Sequence, residues 1–376
     1  MHTNVLNLSK KLINISSISP RDLGCQEILI KRLQLLGFFI ERINLKDTKN
    51  FWAYRGKGKT VTFLGHTDVV PAGSTRKWKT SPFVATIKDG KLFGRGSADM
   101  KGSIAAMLIA VENFIKKFPN HKGRISFLIT SDEETSGKNG IRKVVSILKE
   151  KKEVIDFCLV GEPTSEKILG DCVKNGRRGS LSADLMIYGT QGHIAYPKLF
   201  LNPIHNSIPF LLDLSNLIFD KGNLFFEPTS IQISKIFSEK NCTLNMIPGE
   251  LRVFFNIRFN TLVNKKKIIR IVENLLNKYL IKYSIFWTYH AKPFLSSSNF
   301  LLNLLTKCIY KHTNIIPKIK NNGGTSDARF IFNLTDKIIE FGLPNLTIHK
   351  VNEYVYINDL LKLQNIYYSF LEKLLL

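Results

Sequence analysis

Apolar residues recur at helical spacing from Leu6 to Ile15 and again from Gln26 to Leu36, where Gly37 supplies a stop. Val61-Thr62-Phe63-Leu64 reads as a short buried strand. Ile104, Met107, Leu108, Val111, Phe114 and Ile115 then share one helical face, Ile125 to Ile129 is strand-like, a helix is predicted near Ile141 to Lys149, and Phe157-Cys158-Leu159-Val160 is another strand. Helices alternating with apolar strands predict an α/β fold whose mainly parallel sheet is covered on both faces. After Arg178 the pattern changes to a strand from Leu181 to Tyr188, a helix starting near His205 and strands around Ile231 and Val253. A helix carrying Ile268, Val272, Leu275 and Tyr279 on one face completes a small α+β unit. Beyond Pro293 the α/β pattern returns, with a helix over 299–312, a strand over 338–341 and a C-terminal helix. The chain is therefore expected to hold one domain built from 1–178 and 293–376, with a second, 179–292, inserted into it.

The length of 376 residues and a 44% hydrophobic composition supply enough apolar material for two cores and exclude a disordered basic chain. Lys and Arg total 54 against 30 Asp and Glu, a formal charge of +24, which makes a nucleic-acid or acidic-membrane partner the first idea to test. The lysines are dispersed, however, as at Lys265, Lys266, Lys267, Lys278 and Lys282, and no run approaches the ~20 apolar residues of a membrane span. Neither nucleic acid nor membrane is expected as a partner. No secretory signal precedes Pro20, and the five scattered cysteines form no C-x-x-C pair, so reduced thiols and a cytoplasmic location are expected.

The chemistry-bearing residues gather where strands end. Gly65-His66-Thr67-Asp68 follows the strand at Val61, and in extended chain His66 and Asp68 share a face, so the carboxylate can support the imidazole. Gly94 to Gly102 carries Asp99 at the entrance of a helix, and lacks the third glycine of a dinucleotide fingerprint. Ser131-Asp132-Glu133-Glu134 follows the strand ending at Ile129, where three consecutive acids repel one another unless something positive lies among them. Gly161-Glu162 and His349 follow two further strands. Taken alone, each motif reads better as a surface turn or a helix cap. Together His66, Asp99, Glu134, Glu162 and His349 are the inventory of a dinuclear zinc site, in which one carboxylate bridges ions about 3.5–4 Å apart. Glu133, diverging from Glu134, would stay free to shuttle a proton to the leaving amine.

These strings resemble the co-catalytic zinc amidohydrolases and aminopeptidases. The likeness runs through GHTDVVPAG (65–73), Phe93 to Gly102, Thr130 to Glu134, Gly161 to Thr164, KNGRRGS (174–180), Gly192 to Pro197, GGTSDARF (323–330) and His349 to Glu353. KNGRRGS and GGTSDARF are the more specific strings. They favour the branch that hydrolyses N-succinyl-LL-2,6-diaminopimelate to succinate and LL-2,6-diaminopimelate over deacylation of acetylornithine or a related N-acyl amino acid.

The resemblance implies two Zn2+ per subunit, with Co2+ able to substitute at one site. Asp99 would bridge, His66 and Glu162 would complete one ion's ligands, and Glu134 and His349 the other's. It implies that Asp68 orients His66, that Glu133 is the acid/base, and that the Asp99-Met100 peptide is cis. The inserted domain resembles a dimerisation lid, so a homodimer is expected, with His193 and Asn245 reaching the partner's site. A small anionic substrate would meet Arg178, His193, Tyr196, Asn245, Arg258, Thr325, Ser326 and Arg329, guanidinium groups suiting its carboxylates. A basic nucleic-acid-binding protein on a hydrolase fold is the competing reading; it predicts lost ligands, whereas the set is complete. This chain departs from the family at Lys198-Leu199-Phe200-Leu201, which is bulkier than usual, and at 238–244, which lacks the usual glycine run.

Overall fold

A computed structural model describes residues 4–135, 137–239 and 242–376; Lys240 and Asn241 of the glycine-poor segment lie outside the described residues. Two compact units emerge. The first comprises residues up to Asn175, Ser296–Lys320 and Ser326–Leu376, and the second Gly176–Leu295 with Asn321–Thr325. Gly176–Arg177 pairs with Phe294–Leu295, and Arg177 Nη1 donates to the Gly324 carbonyl at 3.1 Å, so these segments travel together.

The first unit is built on a six-stranded sheet in the order Phe39–Arg42, Asn50–Lys57, Gly123–Thr130, Thr60–His66, Phe157–Val160, Ile338–Glu340. The last four strands run parallel, whereas the first two are antiparallel, so the sheet is mixed where a mainly parallel one was expected. Neither antiparallel strand shows a clear period in sequence: Phe39–Arg42 is a short edge, and Asn50–Lys57 is buried over its first half only. Thr60–His66 lies between parallel neighbours and is buried throughout, so Thr60 and Thr62 are covered along with Val61, Phe63 and Leu64. Helix Gly102–Lys117 is buried on nearly every side and packs on the C-terminal helix Ile357–Leu375 and on Asn4–Ile13.

The second unit is a four-stranded antiparallel sheet in the order Ser230–Ser238, Glu250–Phe259, Gly179–Tyr188, Tyr283–Ala291. Burial alternates residue by residue along Gly179–Tyr188 and Glu250–Phe259, and the inward set, including Leu185, Val253 and Phe255, shares one core with Phe210, Ile268 and Val272 of helices Pro203–Ser215 and Lys265–Lys278. Tyr283–Ala291 was not anticipated; its outward residues include Phe286, which hides the alternation. Gly192 leaves room for Phe200, whose ring would lie 2.2 Å from a Cβ there, so the bulk at 198–201 is partly absorbed locally.

Candidate metal centre

His66 is the last residue of its strand, Glu133 and Glu134 follow Gly123–Thr130, Glu162 follows Phe157–Val160, and Asp99 precedes helix Gly102–Lys117. His349 arrives from a turn in which its own φ is +59°. Gly65 and Gly161 stand immediately before ligands for a shared reason: a Cβ on either would lie 2.8 or 2.7 Å from Met100 Cε. Met100 thus fills the space between two strand ends, its sulfur accepts the His66 N–H at 3.3 Å, and its peptide bond with Asp99 is cis.

The side chains converge around Asp99. Its Oδ1 is 3.3 Å from His66 Nε2, while its Oδ2 is 3.1 Å from His349 Nε2. Glu162 Oε1 lies 3.9 Å from His66 Nε2, and Glu134 Oε1 lies 3.1 Å from His349 Nε2. His66, Asp99 and Glu162 form one group and Asp99, Glu134 and His349 another, each with its ligand atoms within 4.8 Å of one another. Asp99 belongs to both and turns one oxygen toward each, which is how a bridging carboxylate must stand.

The electrostatics follow from this crowding. Burial works against ionisation of both His66 and Asp99, yet Asp99 with Asp68 and Glu133 raises the His66 pKa well above its usual value, and His349 with His66 pulls Asp99 down. His349, beside Asp99 and Glu134, is pushed up to about 10. Glu133 is raised well above the carboxylate range by burial and then by Glu162.

His66 Nδ1 meets the main-chain carbonyl of Asp68 at 3.0 Å. The Asp68 carboxylate instead accepts the backbone N–H groups of Glu133 and Glu134, each at 3.1 Å. The third acid, Asp132, turns away to Thr135 Oγ1 at 2.6 Å and the Asn139 N–H at 3.1 Å, so its charge is absorbed by its own turn.

Within the second unit, Ile194 N–H donates to the Asn245 carbonyl, His193 pairs with Met246, and the His193 and Tyr196 rings are 5.8 Å apart, so these three candidates form one patch. Arg258 pairs in register with Ser180 and Ser230, and Arg178 Nη1 reaches Ser230 Oγ at 3.5 Å. Thr325 also falls in the second unit. In the first, Ser326 Oγ donates to the buried Glu340 carboxylate at 2.6 Å, which occupies its hydroxyl, and Arg329 stacks on Phe330.

Sequence reasoning missed three buried charges. Asp327 is 3% exposed, neither carboxylate oxygen has a partner, and burial pushes its pKa up to about 7 against the pull of Arg329. Arg95 and Glu353 form a buried ion pair at 2.8 Å behind Asp99. Their positions inside the quoted motifs were the available signal; burial was not visible.

The donor set fits a pair of divalent cations. His66 Nε2 and Asp99 Oδ1 are buried and make no hydrogen bond, and four carboxylates, those of Asp99, Glu133, Glu134 and Glu162, crowd around two imidazoles. Such a site can polarise a carbonyl, acidify water and, through Glu133, move a proton.

The profile of Peptidase family M20/M25/M40 matches residues 62–373. The chain is 52% identical over 375 residues to the succinyl-diaminopimelate desuccinylase of Buchnera aphidicola subsp. Acyrthosiphon pisum (strain APS), covering 100% of both chains. It is 51% identical over 371 residues to the enzyme of that name from Buchnera aphidicola subsp. Baizongia pistaciae (strain Bp), covering 99% of this chain and 98% of that one. Among solved structures, an M20 family metallo-carboxypeptidase from Sulfolobus solfataricus superposes with a TM-score of 0.80 at 18% identity over 99% of each chain. The Bacillus subtilis YXEP protein, described as a dinuclear metal binding peptidase from the M20 family, superposes with a TM-score of 0.71 at 13% identity over 98% of this chain and 96% of that one.

Proposed function

The chain belongs to Peptidase family M20/M25/M40, and from that premise we propose that it hydrolyses N-succinyl-LL-2,6-diaminopimelate to succinate and LL-2,6-diaminopimelate, a precursor of lysine and peptidoglycan. One observation carries the reading: end-to-end identity of about half with enzymes named for this reaction, in a chain whose His and carboxylate groups fit two cations.

His66, Asp99 and Glu162 would hold one ion and Asp99, Glu134 and His349 the other, zinc at both with cobalt able to replace it at one. When bound, the ions supply Lewis acidity toward the succinyl amide carbonyl and toward water. Glu133 takes up the proton that water gives up and hands it to the amine nitrogen as the C–N bond breaks. Asp68 holds Glu133 in place through the two amide hydrogen bonds. The substrate carries three carboxylates, one on the succinyl group and two on the diaminopimelate. Arg178, Arg258 and Arg329 would bind them, helped by Tyr196 and Thr325; Ser326, whose one hydroxyl proton goes to Glu340, is not free to join them. His193 and Asn245 would receive the amide oxygen as it becomes anionic.

In this reading the first unit, which takes up most of 1–178 and 293–376, is the catalytic domain, and the second, 179–292 extended to Gly176–Leu295 with Asn321–Thr325, is the lid, through which two chains pair so that His193 and Asn245 serve the partner. Support for a homodimer comes from an exposed apolar stripe, Ile204, Ile208 and Leu212, on helix Pro203–Ser215, and from the sheet's unpaired edge strand Ser230–Ser238, where Ile236 and Phe237 are exposed. No helix among the described residues is long and apolar enough to cross a membrane, and we place the enzyme in the cytoplasm with its biosynthetic substrate.

The test is a side-by-side rate comparison on purified, metal-loaded protein. The succinyl substrate is expected to turn over and acetylornithine to lag far behind; the opposite order would overturn the assignment.

A further inference from the structure

The Glu353 side chain is fully buried, and all of its hydrogen bonds serve the segments that deliver metal ligands. Its Oε1 accepts the backbone N–H groups of Ala98 at 2.9 Å and Asp99 at 3.1 Å. Its Oε2 accepts the Gly96 N–H at 3.1 Å and Arg95 Nη1 at 2.8 Å. Arg95, only 2% exposed, extends the clasp: Nη1 also donates to the Lys350 carbonyl at 3.1 Å, and Nη2 to the Pro71 carbonyl at 3.3 Å. The segment after His66, the loop of Asp99 and the turn of His349 are therefore tied to a single buried ion pair.

The connection closes on itself. Glu353 stands four residues beyond His349, and its main-chain carbonyl accepts the Gly94 N–H at 3.0 Å. Tyr354–Tyr356 then continues as a strand antiparallel to Lys91–Phe93. Asp99 is thus held from behind through its own N–H by Glu353, while its carboxylate faces His349 at 3.1 Å from the front. Moving the Glu353 carboxylate would move the bridging ligand and the His349 turn relative to each other. A carboxylate that satisfies the backbone N–H groups of Gly96, Ala98 and Asp99 and a guanidinium cannot be replaced by an amide without turning N–H toward N–H.

We infer that Glu353, backed by Arg95, is a positioning residue that sets the spacing between Asp99 and His349 and so the affinity of the site for its cations. The inference rests on the two-ion reading above. Glu353 reaches no substrate; it acts through the ligands it holds, as outer-sphere partners of ligating groups do.

The experiment is a competition titration of the metal-free full chain with Zn2+ and with Co2+ against a chromophoric chelator, with the Co2+ absorption spectrum recorded at saturation. Glu353→Gln is expected to lower affinity by about 10- to 100-fold and to change the Co2+ spectrum. Arg95→Lys, which keeps the charge and loses the fork, is expected to show the same changes to a smaller degree and decides the matter if Glu353→Gln does not fold. A folded variant with parental affinities and an unchanged Co2+ spectrum overturns the inference, because a role confined to stability would lower the melting temperature alone. A parent chain that binds no metal would instead sink the two-ion reading itself.

Discussion

His66 is steered by the main chain of Asp68 and not by its carboxylate: Nδ1 meets the Asp68 carbonyl oxygen at 3.0 Å, while the nearest carboxylate oxygen is 3.6 Å away. A carbonyl can only accept, so Nδ1 carries the proton and Nε2 is left as the ligand atom facing Asp99 and Glu162. The carboxylate is thereby released to hold Glu133.

Asp68→Asn should consequently lower kcat by about 10- to 100-fold through a misplaced Glu133 while leaving zinc affinity nearly intact. Steady-state kinetics paired with a metal titration separate the two effects. Collapse of metal affinity would show that the carboxylate acts chiefly on His66.

Glu133→Gln keeps the size of the side chain and removes its ability to carry a proton. Turnover of the succinyl substrate should fall by about 10²- to 10⁴-fold with metal content unchanged. Parental turnover in the fully loaded variant would remove Glu133 from the mechanism.

Protons and metal compete for His349. In the metal-free chain its pKa is raised from 6.5 to about 10 by Asp99 and Glu134. A raised pKa stabilises the fold fully below the unfolded value and loses that contribution as pH climbs through the folded one, here between about 6.5 and 10. The chelated protein should therefore lose melting temperature across that window, and metal should bind more tightly as pH rises, with proton release on binding. Calorimetry in buffers of different ionisation enthalpy measures the release. Zero protons released at pH 8 would contradict the geometry.

Ile208→Glu places a charge in the exposed stripe of helix Pro203–Ser215, where Ile208 is 56% exposed in the single chain. The homodimer proposed above should dissociate to monomers in sedimentation velocity while the circular dichroism spectrum stays the same. Unchanged dimers would move the interface elsewhere.

Gly65→Ala adds a methyl 2.8 Å from Met100 Cε and 3.1 Å from Ile104 Cγ1. Overpacking of this kind costs about 1–3 kcal/mol, readable as a drop in denaturation midpoint. Combining it with Met100→Ala should recover part of the loss, since the flexible methionine is the nearer neighbour.

Much of this molecule was legible along the chain. Periodicity located the helices Gly102–Lys117 and Lys265–Lys278 and the buried strand Thr60–His66, because each buries a face or a run that only one spacing satisfies. It could not find Asn50–Lys57 or Tyr283–Ala291, whose burial is uneven and whose pairing is with distant segments. The residue types of the site, two histidines among carboxylates at strand ends, were also fixed by sequence, and with them the chemistry the site can hold. Three-dimensional structure alone decided how those groups are shared. It put one Asp99 oxygen toward each imidazole, gave the Asp68 carboxylate to the Glu133 and Glu134 amides, engaged Ser326 with Glu340, and buried Glu353 and Arg95 behind the ligands. A carboxylate's partners depend on which segments the fold brings within about 3 Å. Spacing along the chain carries no record of that distance.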